Sequence, residues 1–552
     1  MFRTYDKMRA DLLEKIKPDI VLLFIVLFFL VVNLLWFSMD QAPPMWDQAH
    51  YLETSEILYH DFTEKGFFSL IQAFTDILKI KAPLITILPV PFYIVFGNTY
   101  TSALYVNLLF MILTGYFLYK LGVLISGKKE ALLSVFVLNV FPLIIGMSRE
   151  FLTEYGLMTF VIMWMYYLLR SNSFEKRGIS FILGVILGLG MLMKISFIFY
   201  IVCPTLLILI RRTRDSQKIE SSSFLNLAIT VIIGVLIAGP WYFKNLSSVV
   251  HFAVASGYGN SASKWGMGEL FSVKTILSYW LYLINYGISA YFFFLIIFLF
   301  VTRITVSLFH RSERLLERSN FLFLATWFLF PFILFTFGVN KDYRYITPFL
   351  PVVSLVISTL IVRMTSMRFG YILLSFLLVF PIFNYLFISF SSKSFHYEIV
   401  NFKILDKELA YSHPPIREKW PLEEVVEILR SASSRNRDNY PRISLLFDHN
   451  YINFINLNYY AKNRNAKVIF DIHNYFTGKK TDEIAEVIMH QSSYVITKSD
   501  KLGPDLSNNE NIQNVMSLLD KGKLNFRQIK TIPLPDETTI SIYKNTCPIQ
   551  IL

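Results

Sequence analysis

The sequence predicts a polytopic α-helical membrane protein of about eleven transmembrane helices, followed by a soluble C-terminal α/β domain. Three observations carry that expectation. Apolar residues come in long blocks rather than in alternation, which excludes a porin-like barrel. Hydrophobic residues make up 54% of the 552-residue chain and charged residues 17%, against roughly 25% charged in an ordinary soluble domain. Beyond about residue 390 the long apolar runs stop, and Asn, Asp, Lys and Ser become frequent. The same composition excludes a disordered chain. Two cysteines, Cys203 and Cys547, make neither a disulfide framework nor a zinc site.

A transmembrane helix needs about 20 largely apolar residues. Such blocks fall at 20–39, 101–125, 130–147, 151–169, 223–241, 277–302, 320–338, 345–363 and 370–390. The stretch 179–211 is long enough for two short spans broken at Lys194. The first block is too long for a cleavable signal peptide, and no small-residue cleavage site follows it. Residues 83–97 are apolar but short, and they contain Pro83, Pro89 and Pro91. Each proline lacks a backbone donor, and lipid cannot satisfy the groups it leaves open. This segment is expected to dip into the membrane and leave on the side it entered.

Charge tests that expectation. With the N-terminus inside and 83–97 not crossing, the basic clusters all fall on one side. They are Arg3, Lys7, Arg9, Lys15 and Lys17; Lys128 and Lys129; Arg170, Lys176 and Arg177; Arg211, Arg212 and Arg214; Arg303, Arg311, Arg314 and Arg318; and Arg363 with Arg368. A crossing at 83–97 would reverse all but the first cluster, against the positive-inside rule. The expected arrangement is therefore an integral, multi-pass protein of the plasma or inner membrane with a cytoplasmic N-terminus. The net charge of +12 is mostly this topology signal, so nucleic acid drops out as a partner. The predicted domains are 1–390, a transmembrane domain with outer loops 40–100 and 242–276, and 391–552, an extracytoplasmic α/β domain. In the latter, strand-like runs at 442–447, 467–471, 493–497 and 539–543 alternate with helix-like segments such as 421–431 and 482–490.

Ionisable residues at a membrane edge are costly and mark functional sites by default. On the outer side the chain collects several. Pro43 and Pro44 end the first span, and Asp47 opens a helix on which Asp47, His50 and Tyr51 share a face; a helix-capping carboxylate is the plainer reading. Lys81 precedes Pro83 and either holds a phosphate or snorkels to the headgroups. Ser148, Arg149, Glu150 and Glu154 lie at a turn between spans, where an Arg–Glu pair could simply cap the hairpin. Gly184, Gly188 and Gly190 imply close helix packing and lead to Lys194, which either marks a turn or reaches a phosphate. Lys341, Asp342, Tyr343, Arg344 and Tyr345, followed by Pro348 and Pro351, form the densest polar cluster between two spans. Arg344 suits bidentate phosphate binding or an ion pair with Asp342. A carboxylate and several cations at one membrane face is what group transfer from a lipid phosphate needs.

At these residues the sequence resembles the glycosyltransferase-C superfamily, in the branch of protein O-mannosyltransferases and the lipid A aminoarabinose transferase. The resemblance runs over about residues 20–365. It rests on Asp47-Gln48-Ala49-His50-Tyr51, on Lys81-Ala82-Pro83-Leu84 ending in Phe96-Gly97, and on Ser148-Arg149 with Glu154. It continues with Gly184, Gly188, Gly190 and Lys194, with Pro240-Trp241, and with Arg344-Tyr345, Pro348 and Pro351. Gln48 stands where the family has a second acid, Ala82 replaces a proline, and Glu154 stands where Asp is commoner. The resemblance implies a glycosyltransferase-C fold and an inverting transferase of the EC 2.4 class. It would take a sugar from a polyprenyl-monophosphate carrier and pass it to a protein, lipid or glycan acceptor on the extracytoplasmic side, in the manner of cell-envelope glycosylation. It implies Asp47 as the catalytic carboxylate and Lys81, Arg344 and Tyr345, with Arg149 or Lys194, as donor-phosphate ligands. His50, Tyr51, Glu150 and Glu154 would shape the site or meet the acceptor. No cofactor is firmly implied beyond the lipid-linked sugar as donor substrate; a divalent metal is left open but not supported. The competing expectation is a transporter or flippase of a lipid-linked sugar, against which the chain shows no internal repeat.

Overall fold

A computed structural model describes residues 17–214, 221–259, 262, 272–309, 316–364, 370–392, 397–399, 402–404, 411–433, 440–471, 479–503 and 510–547. The basic residues Arg3, Lys7, Arg9, Lys15, Arg311, Arg314 and Arg368, and residues 263–271 of the expected outer loop, lie outside them. The chain packs as two compact units. One comprises Met1–Ser38, Phe67–Val95 and Thr101–Pro414; the other comprises Met39–Gly66, Phe96–Tyr100 and Pro415–Leu552. Residues 39–66, most of them in the first expected outer loop, thus group with the tail, and residues 391–414 with the first unit.

The first unit is helical. Among the described residues, five helices are long and apolar enough to cross a membrane: Pro18–Met39, Tyr100–Ile125, Ser222–Gly257, Arg318–Thr336 and Tyr343–Met364. A sixth crossing arises if Val273–Ile288 and Ala290–Thr305 are one span, bent by 100° at the break between them. The outward faces of such helices carry Phe24, Leu35, Leu236 and Phe243, a density of exposed apolar side chains suited to lipid rather than water. Fewer helices meet the criterion than the sequence suggested, for visible reasons. The block 130–147 is split into Lys128–Asn139 and Pro142–Met147, because Pro142 fits the first turn of a new helix. The block 277–302 is interrupted by a π-helical turn, Leu283–Ile288, and by Ser289 at φ +72°. Arg177–Met193 has only 17 residues before the chain turns at Lys194.

The proline-rich segment 83–97 forms two short helices, Leu84–Ile87 and Val90–Phe96. The glycine spacing before Lys194 serves close approach. A Cβ on Gly184 would stand 2.7 Å from the Ile233 Cβ, and one on Gly188 2.6 Å from that of Ile237, both on the helix Ser221–Gly257. Thr230 Oγ1 donates to the Ser180 carbonyl at 2.9 Å across the same interface.

The second unit is a five-stranded sheet flanked by helices. Its strands are β3 (Arg442–Leu445), β4 (Ile469–Asp471), β5 (Tyr494–Lys498), β6 (Phe526–Pro533) and β7 (Thr539–Asn545). A separate two-stranded ribbon, β1 (Tyr397–Ile399) with β2 (Phe402–Ile404), belongs to the first unit. The order in the large sheet is β4-β3-β5-β7-β6. β3 pairs parallel with both β4 and β5, whereas β7 runs antiparallel to β5 and β6. Two crossover helices, Phe454–Asn463 and Thr481–Gln491, lie in the connections that make the parallel part. Leu445, Phe447, Val495, Ile496, Ile540 and Ile542 are at the centre of its buried core. The helix Trp46–Lys65 packs against Phe454–Asn463 and completes this unit.

Candidate active site

In the first unit the chain brings two cation–carboxylate pairs together. Glu154 sits in the first turn of Thr153–Arg170, and Lys194 follows the last turn of Arg177–Met193. The Lys194 Nζ donates to Glu154 Oε1 at 2.6 Å. The Glu154 side chain is 2% exposed and the Lys194 side chain 25%, so of the two the lysine is the more open. Lys194 also stands 4.9 Å from the centre of the Tyr345 ring.

The second pair is local in sequence. Asp342 caps the 3-10 turn Tyr343–Phe349: its Oδ1 accepts from the Arg344 amide at 2.9 Å, and its Oδ2 from Arg344 Nε at 2.6 Å. This turn packs against Thr153–Arg170, and Arg344 acts electrostatically on both Glu154 and Lys194. Three tyrosines hold the arrangement. Tyr200 donates its hydroxyl proton to the Tyr345 carbonyl at 2.8 Å, and Tyr279 to the Asp342 carbonyl at 3.1 Å. The Tyr411 ring lies 5.8 Å from the Arg344 guanidinium. The Lys341 amine donates to the carbonyls of Phe335 and Thr336, at the negative end of the preceding helix.

The remaining candidates of this unit have other partners as well. Arg149 is buried; it donates to Asn33 Oδ1 at 2.8 Å and to Ser389 Oγ at 2.7 Å, against the rings of Trp36 and Tyr385. Glu150 faces His413 Nε2 at 3.6 Å, and its carbonyl accepts from Asn107 at 2.8 Å. Lys81 is partly buried just before Leu84–Ile87, a short helix that packs on Arg177–Met193.

Asp47, His50 and Tyr51 belong to the second unit. Asp47 lies in the first turn of Trp46–Lys65, where the positive end of the helix favours a carboxylate. Asp47 and His50 are partly exposed, and Tyr51 is buried. The helix is fastened on both sides. Trp46 Nε1 donates to Asp448 Oδ1 at 3.0 Å, and the Tyr100 hydroxyl to Gln48 Oε1 at 2.6 Å. Glu56 accepts from Asn98 at 3.0 Å and from Asn463 at 3.4 Å, and burial pushes its carboxyl pKa up. Gln48, in the place where an acid would stand, is therefore a structural ligand of Tyr100.

Sequence reasoning missed Tyr200, Tyr279, Tyr411 and His413. The first two sit in apolar helices and look like any other aromatic there; only the fold gives their hydroxyls a partner. Among the described residues no group of three or more His, Cys, Asp or Glu side chains could hold a metal ion.

Residues 81–242 match the family model described as dolichyl-phosphate-mannose-protein mannosyltransferase. That stretch contains Lys81, Arg149, Glu154 and Lys194. Over nearly the whole chain the fold is similar to that of ArnT from Cupriavidus metallidurans bound to undecaprenyl phosphate. There the TM-score is 0.53 at 14% identity, with 94% of this chain and 97% of that one covered. It is also similar to archaeal oligosaccharyltransferase AglB from Archaeoglobus fulgidus in complex with an inhibitory peptide and a dolichol-phosphate, with a TM-score of 0.55 at 12% identity. That match covers 97% of this chain and 75% of AglB. The chain has a glycosyltransferase-C fold. No curated protein matches it by sequence. The glycosyltransferase-C resemblance read from the motifs is thus borne out, and the matched stretch holds one of the two cation–carboxylate pairs in full.

Proposed function

We propose that the protein is an integral membrane glycosyltransferase that moves a sugar from a polyprenyl-monophosphate carrier to an acceptor on the extracytoplasmic side. The observation that carries this reading is the Lys194–Glu154 and Arg344–Asp342 assembly with Tyr345, a polar site at the ends of apolar helices. Solved structures of the same fold hold undecaprenyl phosphate in one case and a dolichol-phosphate in another, which supports a lipid phosphate as ligand here. Neither the family match nor these structures supports the flippase alternative.

In the proposed reaction an acceptor hydroxyl or amide attacks C1 of the sugar. Asp47 takes the proton released by the attacking atom. The C1–O bond to phosphate breaks, its electron pair leaves with the polyprenyl phosphate, and the cations meet the charge that develops there. A single displacement inverts C1. Lys194, Arg344 and Lys81 are the proposed phosphate ligands, with the Tyr345 ring beside Lys194. Arg149 supports the spans from within, Glu150 with His413 shapes the edge of the site, and His50 and Tyr51 orient the Asp47 helix or meet the acceptor. The proposed topology keeps about eleven membrane passages, including bent and short ones, with the N-terminus cytoplasmic and the C-terminal unit outside.

Replacing Asp47 by Asn is the deciding experiment. Release of polyprenyl phosphate from a polyprenyl-phosphate sugar should fall about 100- to 10,000-fold, with the protein still inserted in membranes. Near-normal release overturns the assignment.

A further inference from the structure

We infer that Glu154 and Asp342 are counter-charges that set how tightly the site holds its spent carrier, and thereby set product release. The inference rests on the functional reading above. The donor is a phosphate diester with a single negative charge. The product is a phosphate monoester that carries about −1.5 to −2 charges near neutral pH. Two uncompensated cations suited to the charge that develops during transfer would grip this product far more firmly than the donor. Turnover would then wait on release.

The structure supplies a balance. Lys194 and Arg344 each hold a carboxylate, so the four groups sum to zero charge. Neither acid needs to leave when a phosphate arrives. Glu154 is buried under a partly open Lys194, and Asp342 is fixed by the Arg344 amide as the cap of the 3-10 turn. A phosphate meeting the outer side of Lys194 is drawn by a cation backed by an anion, a field that falls off faster than that of a bare charge. The attraction that remains acts at contact distance, where a developing phosphate charge lies.

Removing one acid therefore adds a unit of positive charge, and its effect grows with ligand charge. The fold-change for a dianion is roughly the square of that for a monoanion. The test uses purified full-length protein with dolichyl phosphate as product and dolichyl-phosphate mannose as donor. At about pH 7.5, Glu154→Gln should tighten dolichyl phosphate on the order of tenfold and the donor about threefold. Near pH 5 the product is a monoanion, and the two factors should converge. The groups that face Glu154 are Lys194, Arg344, Tyr200, Tyr345 and Tyr411; Asp342 faces Arg344, and His413 faces Glu150. Wild type and variant share all of them, so the variant-to-wild-type ratio isolates the proton of the ligand.

Asp342→Asn should act in the same direction, which keeps the test open if Glu154→Gln fails to fold. Glu154→Asp should return the product-to-donor ratio toward wild type. Weaker binding of both lipids in the Gln and Asn variants, or equal tightening at both pH values, overturns the proposal and makes the acids mere supports. A wild-type protein that binds neither lipid overturns the functional reading as well.

Discussion

Each unit contains a buried lysine–carboxylate pair, and the two are built in opposite senses. In the membrane unit the Glu154 side chain is 2% exposed and that of Lys194 25%. In the C-terminal unit Lys498 is 0% exposed and its partner Asp536 14%. Lys498 closes off the end of β5, donating to Asp536 Oδ2 at 2.9 Å and to the Asp500 carbonyl at 2.7 Å. Asp536 also accepts from the Thr538 hydroxyl at 2.6 Å, and His449 Nε2 lies 3.7 Å away. A pair with its cation outermost can receive an anion. A pair with its cation innermost fastens a loop to a sheet. Between these two lysine pairs it is the order of burial, rather than the residue types, that differs.

The largest effect should come from Lys194→Met, which leaves the Glu154 carboxylate buried without its ammonium. Breaking a buried pair in this way costs about 3–5 kcal/mol. Combining it with Glu154→Gln should recover most of that stability, because the uncompensated charge is gone. The double variant should still fail to bind dolichyl phosphate at wild-type strength. Thermal unfolding together with lipid binding separates the two effects. Full recovery of both would place this pair in the same class as the clasp.

In the C-terminal unit the asymmetry should reverse. Asp536→Asn leaves Lys498 charged and fully buried, again at a cost of about 3–5 kcal/mol. Lys498→Met should cost less, about 1–2 kcal/mol, since Asp536 reaches water and keeps its bonds from Thr538. Hydrogen exchange of the β3 and β5 amides reads both variants. A larger loss in Lys498→Met would break the comparison.

How much of this was legible depends on whether the signal is local. The membrane blocks, the change of character after 390 and the parallel strands β3, β4 and β5 follow from runs of apolar residues. β6 was unreadable because Phe526 and Ile532 are its only buried side chains, so it shows neither an apolar run nor alternation. The Arg344–Asp342 pair is two residues apart and was visible. The Lys194–Glu154 pair joins residues forty apart, and the sequence offered only two separate charges. The bonds of Arg149 to Asn33 and Ser389 join helices far away in sequence, which no local pattern shows. The helix Trp46–Lys65 packs on a helix of the tail, 400 residues later, so its unit could not be read locally.

Acid should sharpen the comparison with a smaller effect, confined to the C-terminal clasp. Burial, with the charges of Lys498 and Lys501, pushes the His449 pKa down from 6.5 to about 4, against the opposing pull of Asp536. Burial works against the Asp536 carboxylate, yet the bonds from Lys498 and Thr538 together outweigh it and bring its pKa down from 3.8 to about 2. Both groups take up protons more readily in the unfolded chain than in the folded one. The contribution of His449 is therefore fully present above about pH 6.5 and lost as pH falls through about 4. That of Asp536 is present above about pH 3.8 and lost as pH falls through about 2. After a discount for solvent screening, each is worth on the order of 2 kcal/mol. Protection of the β3 and β5 amides should fall in these two steps, and His449→Phe should remove the first while leaving the second. A stability that stays level between pH 6.5 and 4 would mean that the imidazole is not held neutral. In that case burial and the cations Lys498 and Lys501 would together fail to keep the proton off His449, and the clasp would be more open to water than its side-chain exposures indicate.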